Sequence, residues 1–320
     1  MSPPRPTLVT GGAGFIGSHL VERLLAEGKA VVVIDDCSTG SWENLRAVTE
    51  HPMLKRIESP VSRCPELDAV MAEAEAVFHL AATVGVDLVV RSPVRTLQTN
   101  LHETEAVLEA AARRGVPVLL ASTSEVYGRS SRAAFSEEDD LIIGPPNVGR
   151  WSYACSKLLD EFLALAFARE RGLPVVNARL FNTVGPRQTG RYGMVLPRFI
   201  EAARAGRPLR VFGDGGQARC FCYVADAVEA LLLLQRKPAA RGEVVNVGGT
   251  EEISIDALAR LVVETLRSPS SIETVPYETA YAPGFEDMRR RRPCVEKLER
   301  MTGFKPETPL RKIIELTALA

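Results

Sequence analysis

Short apolar runs alternate with stretches of helical spacing through the first half of the chain. The runs fall at 7–10, 30–34, 77–80, 116–121 and 175–180. They are largely apolar throughout rather than alternating, so each strand is expected to be buried on both faces, as in a parallel sheet covered by helices. Between the first two runs, residues 18–27 place Leu20, Leu24 and Leu25 at helical spacing. Strand and helix in alternation predict an α/β fold, a doubly wound parallel sheet of Rossmann type.

Two later helices are broader in their pattern. From Leu97 the core-type positions recur at Leu101, Thr104, Leu108 and Ala111, spaced by four and three. After Tyr153, the residues Leu158, Leu159, Phe162, Leu163 and Leu165 cover more than one face. A helix apolar on two faces lies in a large core or at a subunit interface, and an interface is the expectation here. Beyond residue 180 Pro, Gly and Arg become frequent, as in Gly185-Pro186-Arg187 and Phe212-Gly213-Asp214-Gly215-Gly216. A strand at 244–247 and a helix at 254–267 follow. The expected organisation is a larger domain over 1–180, to which the chain returns at about 219–247, and a smaller α/β C-terminal domain over 181–320.

Composition narrows the function classes. Of 320 residues, 46% are apolar and 25% charged, an ordinary globular balance. A net charge of −1 makes no electrostatic case for nucleic acid or an anionic membrane. No apolar run reaches the ~18 residues of a membrane span. Met1-Ser2-Pro3-Pro4-Arg5-Pro6 leads straight into the first strand and leaves no room for a signal peptide, so a cytoplasmic protein is expected. Cys220 and Cys222 form a C-x-C with no second pair, so free thiols and no metal site are expected.

The candidate chemistry begins where the first strand ends. Gly11-Gly12-Ala13-Gly14-Phe15-Ile16-Gly17 is a G-x-x-G-x-x-G turn between a strand and a helix. Glycines there let the backbone approach a pyrophosphate, and the helix offers free N–H groups at its positive end. Asp35 ends the second strand, 18 residues after Gly17. A carboxylate at that place accepts from ribose hydroxyls and repels a 2′-phosphate, which favours NAD over NADP; Asp36 reinforces the repulsion. His79-Leu80-Ala81-Ala82 ends the third apolar run, where small residues leave room for a cofactor. His79 itself reads as a packed strand histidine.

Ser122-Thr123-Ser124-Glu125 and Tyr153-Ala154-Cys155-Ser156-Lys157 complete the set. A tyrosine hydroxyl has an unperturbed pKa near ~10 and is a poor base at neutral pH. Lys157, one helical turn on, favours the tyrosinate, and Tyr153 can then take a proton from a sugar hydroxyl while hydride leaves. Thr123 can hold the same hydroxyl. Glu125 puts a carboxylate where oxidation alone needs none, which points to chemistry at a neighbouring carbon.

These motifs resemble the extended short-chain dehydrogenase/reductase family, in its nucleotide-sugar branch. The resemblance runs from the glycine turn through His79–Ala82, Asn100, Ser122–Gly128, Tyr153–Lys157, Arg179–Pro186 and Tyr223–Asp226. It implies an NAD cofactor held by Gly11, Gly14, Phe15, Ile16, Gly17, Asp35, Asp36, Leu80, Ala81, Ala82, Asn100, Tyr153 and Lys157. It implies a UDP-sugar substrate, with Asn182 at the diphosphate, Leu196, Leu209, Val211 and Phe212 around base and ribose, and Arg219 at ribose or phosphate; Ser124 and Arg191 are further substrate candidates. It also implies a homodimer through a four-helix bundle.

Within that branch three reactions share oxidation at C4. Thr123-Ser124-Glu125 departs from the plain epimerase pattern without excluding it. Asp35 argues against the NADP-dependent GDP-mannose dehydratases, and the lack of Asp at 124 against the deoxythymidine-diphosphate-glucose type. Arg150-Trp151-Ser152-Tyr153 and Arg219-Cys220-Phe221 are similar to glucuronate decarboxylases, as are the arginines before Pro293, where the match places the functional one at Arg291. The expectation is an NAD-dependent UDP-glucuronate decarboxylase, with Thr123, Glu125, Tyr153, Lys157 and Arg291 catalytic. A UDP-glucose or UDP-glucuronate 4-epimerase is the alternative, then a 4,6-dehydratase, then an NAD-binding scaffold without activity.

Overall fold

The structure, a computed structural model, describes residues 4–83, 92–190, 194–276 and 288–319. Seven parallel strands build its central sheet: β1 (Thr7–Thr10), β2 (Val31–Asp35), β3 (Leu54–Glu58), β4 (Ala76–His79), β5 (Val118–Thr123), β6 (Val175–Leu180) and β11 (Glu243–Val247). Their order is β11-β6-β5-β4-β1-β2-β3. The chain leaves β1 toward β2 and β3, then returns to the other side of β1 as β4. The ends of β1 and β4 therefore border the crevice where strand order reverses, which is where open α/β sheets bind ligands.

Both faces of the sheet are buried, as continuous apolar strands require. Successive residues point to opposite faces. Val9, Phe78 and Leu119 join one core with Leu20 and Leu24 of α1 (Phe15–Ala26). Leu8, Val77 and Leu120 join the other with Leu108 of α3 (Pro93–Ala112) and Phe167 of α4 (Trp151–Arg171). Helix α2 (Leu67–Glu73) adds Val70 and Met71 to that second core. The start of α1 lies at Phe15, three residues ahead of the apolar spacing, because the glycine turn itself feeds the first helical turn.

A separate core forms from the second half. Helices α5 (Val195–Arg204), α7 (Ile255–Leu266) and α9 (Leu310–Ala318) pack Leu196, Phe199, Leu258, Val262 and Ile313 around β8 (Leu209–Phe212). Strand β8 pairs in parallel with β13 (Ile272–Val275). Helix α6 (Val224–Arg236) instead packs on the central sheet, with Val228 and Leu231 in the core of α1. Helix α8 (Glu296–Thr302) joins it there through Leu298. Short pairings link the two halves: β7 (Thr183–Val184) with β10 (Cys222–Tyr223), and β9 (Ala218–Cys220) between β12 (Glu252–Ser254) and β14 (Arg290–Arg291). Among the described residues no helix is long and apolar enough to cross a membrane.

One buried ion pair fixes α4 to the sheet. Glu161 receives Arg179 of β6 through two nitrogens, at 3.0 and 2.7 Å, and also the hydroxyl of Ser122 on β5. The Arg179 guanidinium lies 4.8 Å over the ring of Tyr127, whose hydroxyl donates to Asn246 at 2.8 Å. Pairing at this depth offsets desolvation rather than adding much stability, but it dictates how α4 sits over β5 and β6. That placement delivers Tyr153 and Lys157 to the ends of the strands.

Candidate active site

A cavity of about 960 Å³ opens along the ends of β1, β4, β5 and β6 and runs into the second half of the chain. At its cofactor end the backbone leaves no space for side chains. A Cβ on Gly11, where φ is +71°, would stand 2.7 Å from the amide nitrogen of Ala81. A Cβ on Gly17 would stand 2.1 Å from the carbonyl oxygen of Gly11. Such a cradle fits a dinucleotide, whose pyrophosphate needs direct approach to backbone N–H groups. Asp35 accepts from the amides of Ala13 at 2.9 Å and Cys37 at 2.8 Å. Burial pushes its carboxyl up and these two bonds oppose the rise. The carboxylate is thus locked at the mouth of the glycine turn with its outer edge toward the cavity.

Every cofactor candidate except Asn100 lines this cavity. Asn100 is buried behind it, accepting from the Thr83 amide at 2.7 Å and donating to Ser156 at 3.0 Å. It orders the turn of α4 that lies between Tyr153 and Lys157. His79 is also buried, bonded to Thr10 and Thr104, and burial lowers its pKa to about 3, so it is a neutral strand residue.

Thr123, Glu125, Tyr153, Lys157 and Arg291 come together on the cavity wall from four elements. Thr123 ends β5, and its hydroxyl caps the 3-10 turn over Ser124–Tyr127 by accepting from the Glu125 amide at 3.2 Å. That turn is what swings Glu125 inward. Burial raises the Tyr153 pKa, and the charge of Glu125 raises it further, so the residue rests as a phenol. Lys157 Nζ donates to Asp160 at 2.9 Å.

Glu125 sits inside a ring of guanidinium groups. Arg291 reaches Oε1 at 2.6 Å and Arg150 reaches Oε2 at 3.2 Å. Burial alone would push this carboxyl up, but Arg291, Arg150 and then Arg219 overcome that and hold it below the usual carboxylate range. Glu125 is therefore ionised and ion-paired. Arg219 on β9 and Arg291 on β14 are paired neighbours in register, which brings both to one place. Arg150 precedes α4 and lies 5.3 Å over the ring of the buried Trp151. The tryptophan thus holds the arginine against the site.

Toward the other end, Ser124, Asn182, Phe212 and Arg219 line the cavity. Asn182 donates to the carbonyl of Cys220 at 2.9 Å, and Arg198 lies 5.3 Å over the Phe212 ring. Leu196, Leu209 and Val211 are placed in the core beneath and do not reach the wall. Arg191 lies outside the described residues. Two residues with no role in the sequence reading stand out. Arg150 was visible only as part of a lead-in to Tyr153, and Asp160 only as an acid three residues after the lysine, a spacing that puts both on one helix face.

A family model described as the NAD dependent epimerase/dehydratase family matches residues 7–248. A relative from Bacillus cytotoxicus named UDP-N-acetyl-alpha-D-glucosaminuronate decarboxylase is 41% identical over 303 residues, covering 93% of this chain and 92% of its own. UDP-glucuronic acid decarboxylase 6 of Arabidopsis thaliana is 35% identical over 310 residues, 97% of this chain and 86% of its own. Among solved structures, a UDP-glucuronic acid 4-epimerase from Bacillus cereus, in complex with UDP-glucuronic acid and NAD, is similar with a TM-score of 0.86 at 27% identity, covering 98% of each chain.

Proposed function

We propose, from the premise that the chain belongs to the NAD dependent epimerase/dehydratase family, that it is an NAD-dependent decarboxylase of a UDP-linked hexuronate. The substrate is UDP-glucuronate and the product UDP-xylose. The carrying observation is the cluster of guanidinium groups around Glu125 on the cavity wall. Three guanidinium groups, Arg291, Arg150 and Arg219, face one carboxylate. Guanidinium groups gathered on a cavity wall are suited to bind further anions. A sugar carboxylate at C6 beside Glu125 and a diphosphate toward Arg219 supply them.

The bound cofactor supplies a nicotinamide that accepts hydride from C4 and returns it. Tyr153 takes the proton of the C4 hydroxyl, with Thr123 holding the same oxygen and Lys157 favouring the tyrosinate. With C4 a ketone, the substrate is a β-keto acid. The C5–C6 bond breaks, CO2 leaves, and the electron pair remains on C5, delocalised onto O4 as an enolate. Tyr153 and Thr123 donate to that oxygen where the charge develops. A proton from solvent then takes the place of the carboxyl group on C5, and as hydride comes back to C4 the proton held by Tyr153 goes back to O4. Glu125 keeps Arg150 and Arg291 in place between turnovers and yields part of them to the incoming carboxylate.

The other site assignments belong to the same reading. Gly11, Gly14, Phe15, Ile16, Gly17, Asp35, Asp36 and Leu80–Ala82 cradle NAD, and Asn182, Phe212 and Arg219 take the nucleotide end. Residues 1–180 with the return at about 219–247 form the NAD-binding domain, and most of 181–320 the nucleotide-sugar domain. Two chains join through α3 and α4.

Two observations favour neighbouring readings. The 41% relative is named for a 2-acetamido hexuronate, which undergoes the same C4–C6 chemistry. The 4-epimerase with UDP-glucuronic acid bound shares the whole fold. Incubation with NAD⁺ and either UDP-hexuronate, read by mass spectrometry, separates them. Loss of about 44 mass units, the CO2 of a broken C5–C6 bond, is the expected result. An isobaric product sinks the decarboxylase in favour of the epimerase.

A further inference from the structure

Asn246 is fully buried on β11, the edge strand of the central sheet, and does not line the cavity. The chemistry derived above gives it no part. Its polar groups nevertheless meet three stretches of chain that are far apart in sequence. Oδ1 accepts from the Tyr127 hydroxyl at 2.8 Å. Nδ2 donates to the carbonyl of Phe135 at 2.9 Å and to that of Cys294 at 3.2 Å. The main-chain amide of Asn246 donates to Glu137 Oε1 at 2.8 Å, which ties the second stretch down again. Carbonyls only accept, so two of them on one side fix which end of the side-chain amide is nitrogen, and the hydroxyl takes the oxygen.

Two of these stretches carry the two partners of the Glu125–Arg291 pair. Tyr127 closes the 3-10 turn Ser124–Tyr127 that brings Glu125 to the cavity. Cys294 follows Arg291 by three residues. Phe135 joins the two. Its amide donates to the Arg292 carbonyl at 2.8 Å, and its carbonyl accepts from the Cys294 amide at 2.8 Å, a short parallel bridge centred on Pro293. Its ring lies 4.8 Å from that of Tyr127, and Phe181 completes the apolar cluster beneath. Glu125 and Arg291 meet at 2.6 Å on the cavity side of this joint. Two long side chains keep one geometry only when both backbones are held, and a shift of about 1 Å in such a contact costs far more in chemistry than in stability.

We propose that Asn246 is a positioning residue: it joins the turn that carries Glu125 to the segment that carries Arg291, and so sets where the C6 carboxylate of the substrate is received. The inference rests on reading Arg291 as the cation that meets that carboxylate.

Asn246→Asp keeps the acceptor for Tyr127 and replaces the amide donor with an oxygen that faces two carbonyls, so it loosens the Arg291 side. Tyr127→Phe removes one hydroxyl and loosens the Glu125 side. In the full chain loaded with NAD⁺, affinities for UDP-glucuronate and UDP-glucose, which differ only at C6, are measured by calorimetry. Each variant is expected to lower the preference for UDP-glucuronate by about 3- to 10-fold, while UDP-glucose and NAD⁺ stay within about 2-fold. On top of Arg291→Met, Asn246→Asp is expected to cost no further preference, because the two act through one contact. An unchanged preference, equal weakening of both sugars, or a loss that adds to that of Arg291→Met overturns the proposal; a residue that only stabilises the fold gives the second. If Asn246→Asp does not fold, Tyr127→Phe decides by the same comparison. A parent protein that binds both sugars equally sinks the hexuronate reading instead. The crystal structure of the folded variant then decides this inference, with Arg291 drawn away from Glu125 as the expected result and an unmoved pair overturning it.

Discussion

Arg290 and Arg291 are adjacent in sequence and serve opposite sides of a strand. Arg290 points outward to Glu252 at 2.9 Å, and Arg291 points inward to Glu125. The run of four arginines hides this in the sequence, because β14 is two residues long and shows no apolar alternation of its own. Pairing with β9 imposes the period of two and selects Arg291. Tyr153, Lys157 and Thr123 were legible because their spacing carries the chemistry. Arg150 was not, since its role comes from a turn that brings Glu125 to it across 25 positions. Both arginines are largely buried against Glu125, so a charged hydrogen bond to a substrate carboxylate is worth about 1.5–3 kcal/mol each. Arg150→Met and Arg291→Met are each expected to weaken kcat/KM for UDP-glucuronate by about 10- to 100-fold, and to leave binding of UDP-glucose, which has no carboxylate, within about 3-fold. Equal losses on both ligands, measured by steady-state kinetics and calorimetry, would place the arginines at the nucleotide instead.

At the scale of elements, the strand–turn–helix at β1 and α1 was the most legible unit, and β3 the least. Glycines, apolar strand and apolar helix all agree in the first case. In β3 only Ile57 is buried, while Lys55, Arg56 and Glu58 face solvent from the edge of the sheet. An edge strand with one apolar contact has no pattern to read, and tertiary pairing with β2 alone makes it a strand. The glycine turn allows a graded test. An alanine at Gly14 meets the Gly11 carbonyl at 3.1 Å, an approach a small backbone shift relieves. At Gly17 the same carbonyl is 2.1 Å away and the Gly12 Cα 2.8 Å, so α1 must move off the turn. Gly17→Ala is expected to weaken NAD⁺ by about 100-fold or more, in line with ~3 kcal/mol of overpacking, and Gly14→Ala by about 10-fold or less. Calorimetric titration checks the order, and comparable affinities for the two variants would show that the turn does not contact the cofactor.

At the scale of the whole molecule, α4 has two working faces. Its inner face carries Tyr153, Lys157, Asp160 and Glu161. Its outer face carries Leu159, 48% exposed, and Phe162, 65% exposed. Next to it α3 presents Val94 at 67% and Leu97 at 39%. The sequence could show that α4 is apolar on more than one face, yet not which face meets the sheet, because that depends on the burial of Phe167 there and of Leu108 on α3 against β5 and β4. With the sheet side settled, Val94 and Leu97 of α3 and Leu159 and Phe162 of α4 remain exposed, and the dimer proposed above would cover them with the same residues of a second copy. The protein is expected to be a dimer by light scattering. Leu159→Glu with Phe162→Glu places like charges on both sides of the two-fold axis and is expected to yield a monomer with unchanged far-ultraviolet circular dichroism. Because the same helix holds Tyr153 and Lys157, the pair proposed for the C4 oxidation, on its reverse, the monomer is also expected to lose activity by about 10-fold, a loss on the order of 1.4 kcal/mol in transition-state stabilisation. A parent protein that scatters as a monomer rules out the bundle, and a fully active monomeric variant shows that α4 holds Tyr153 and Lys157 without help from a partner.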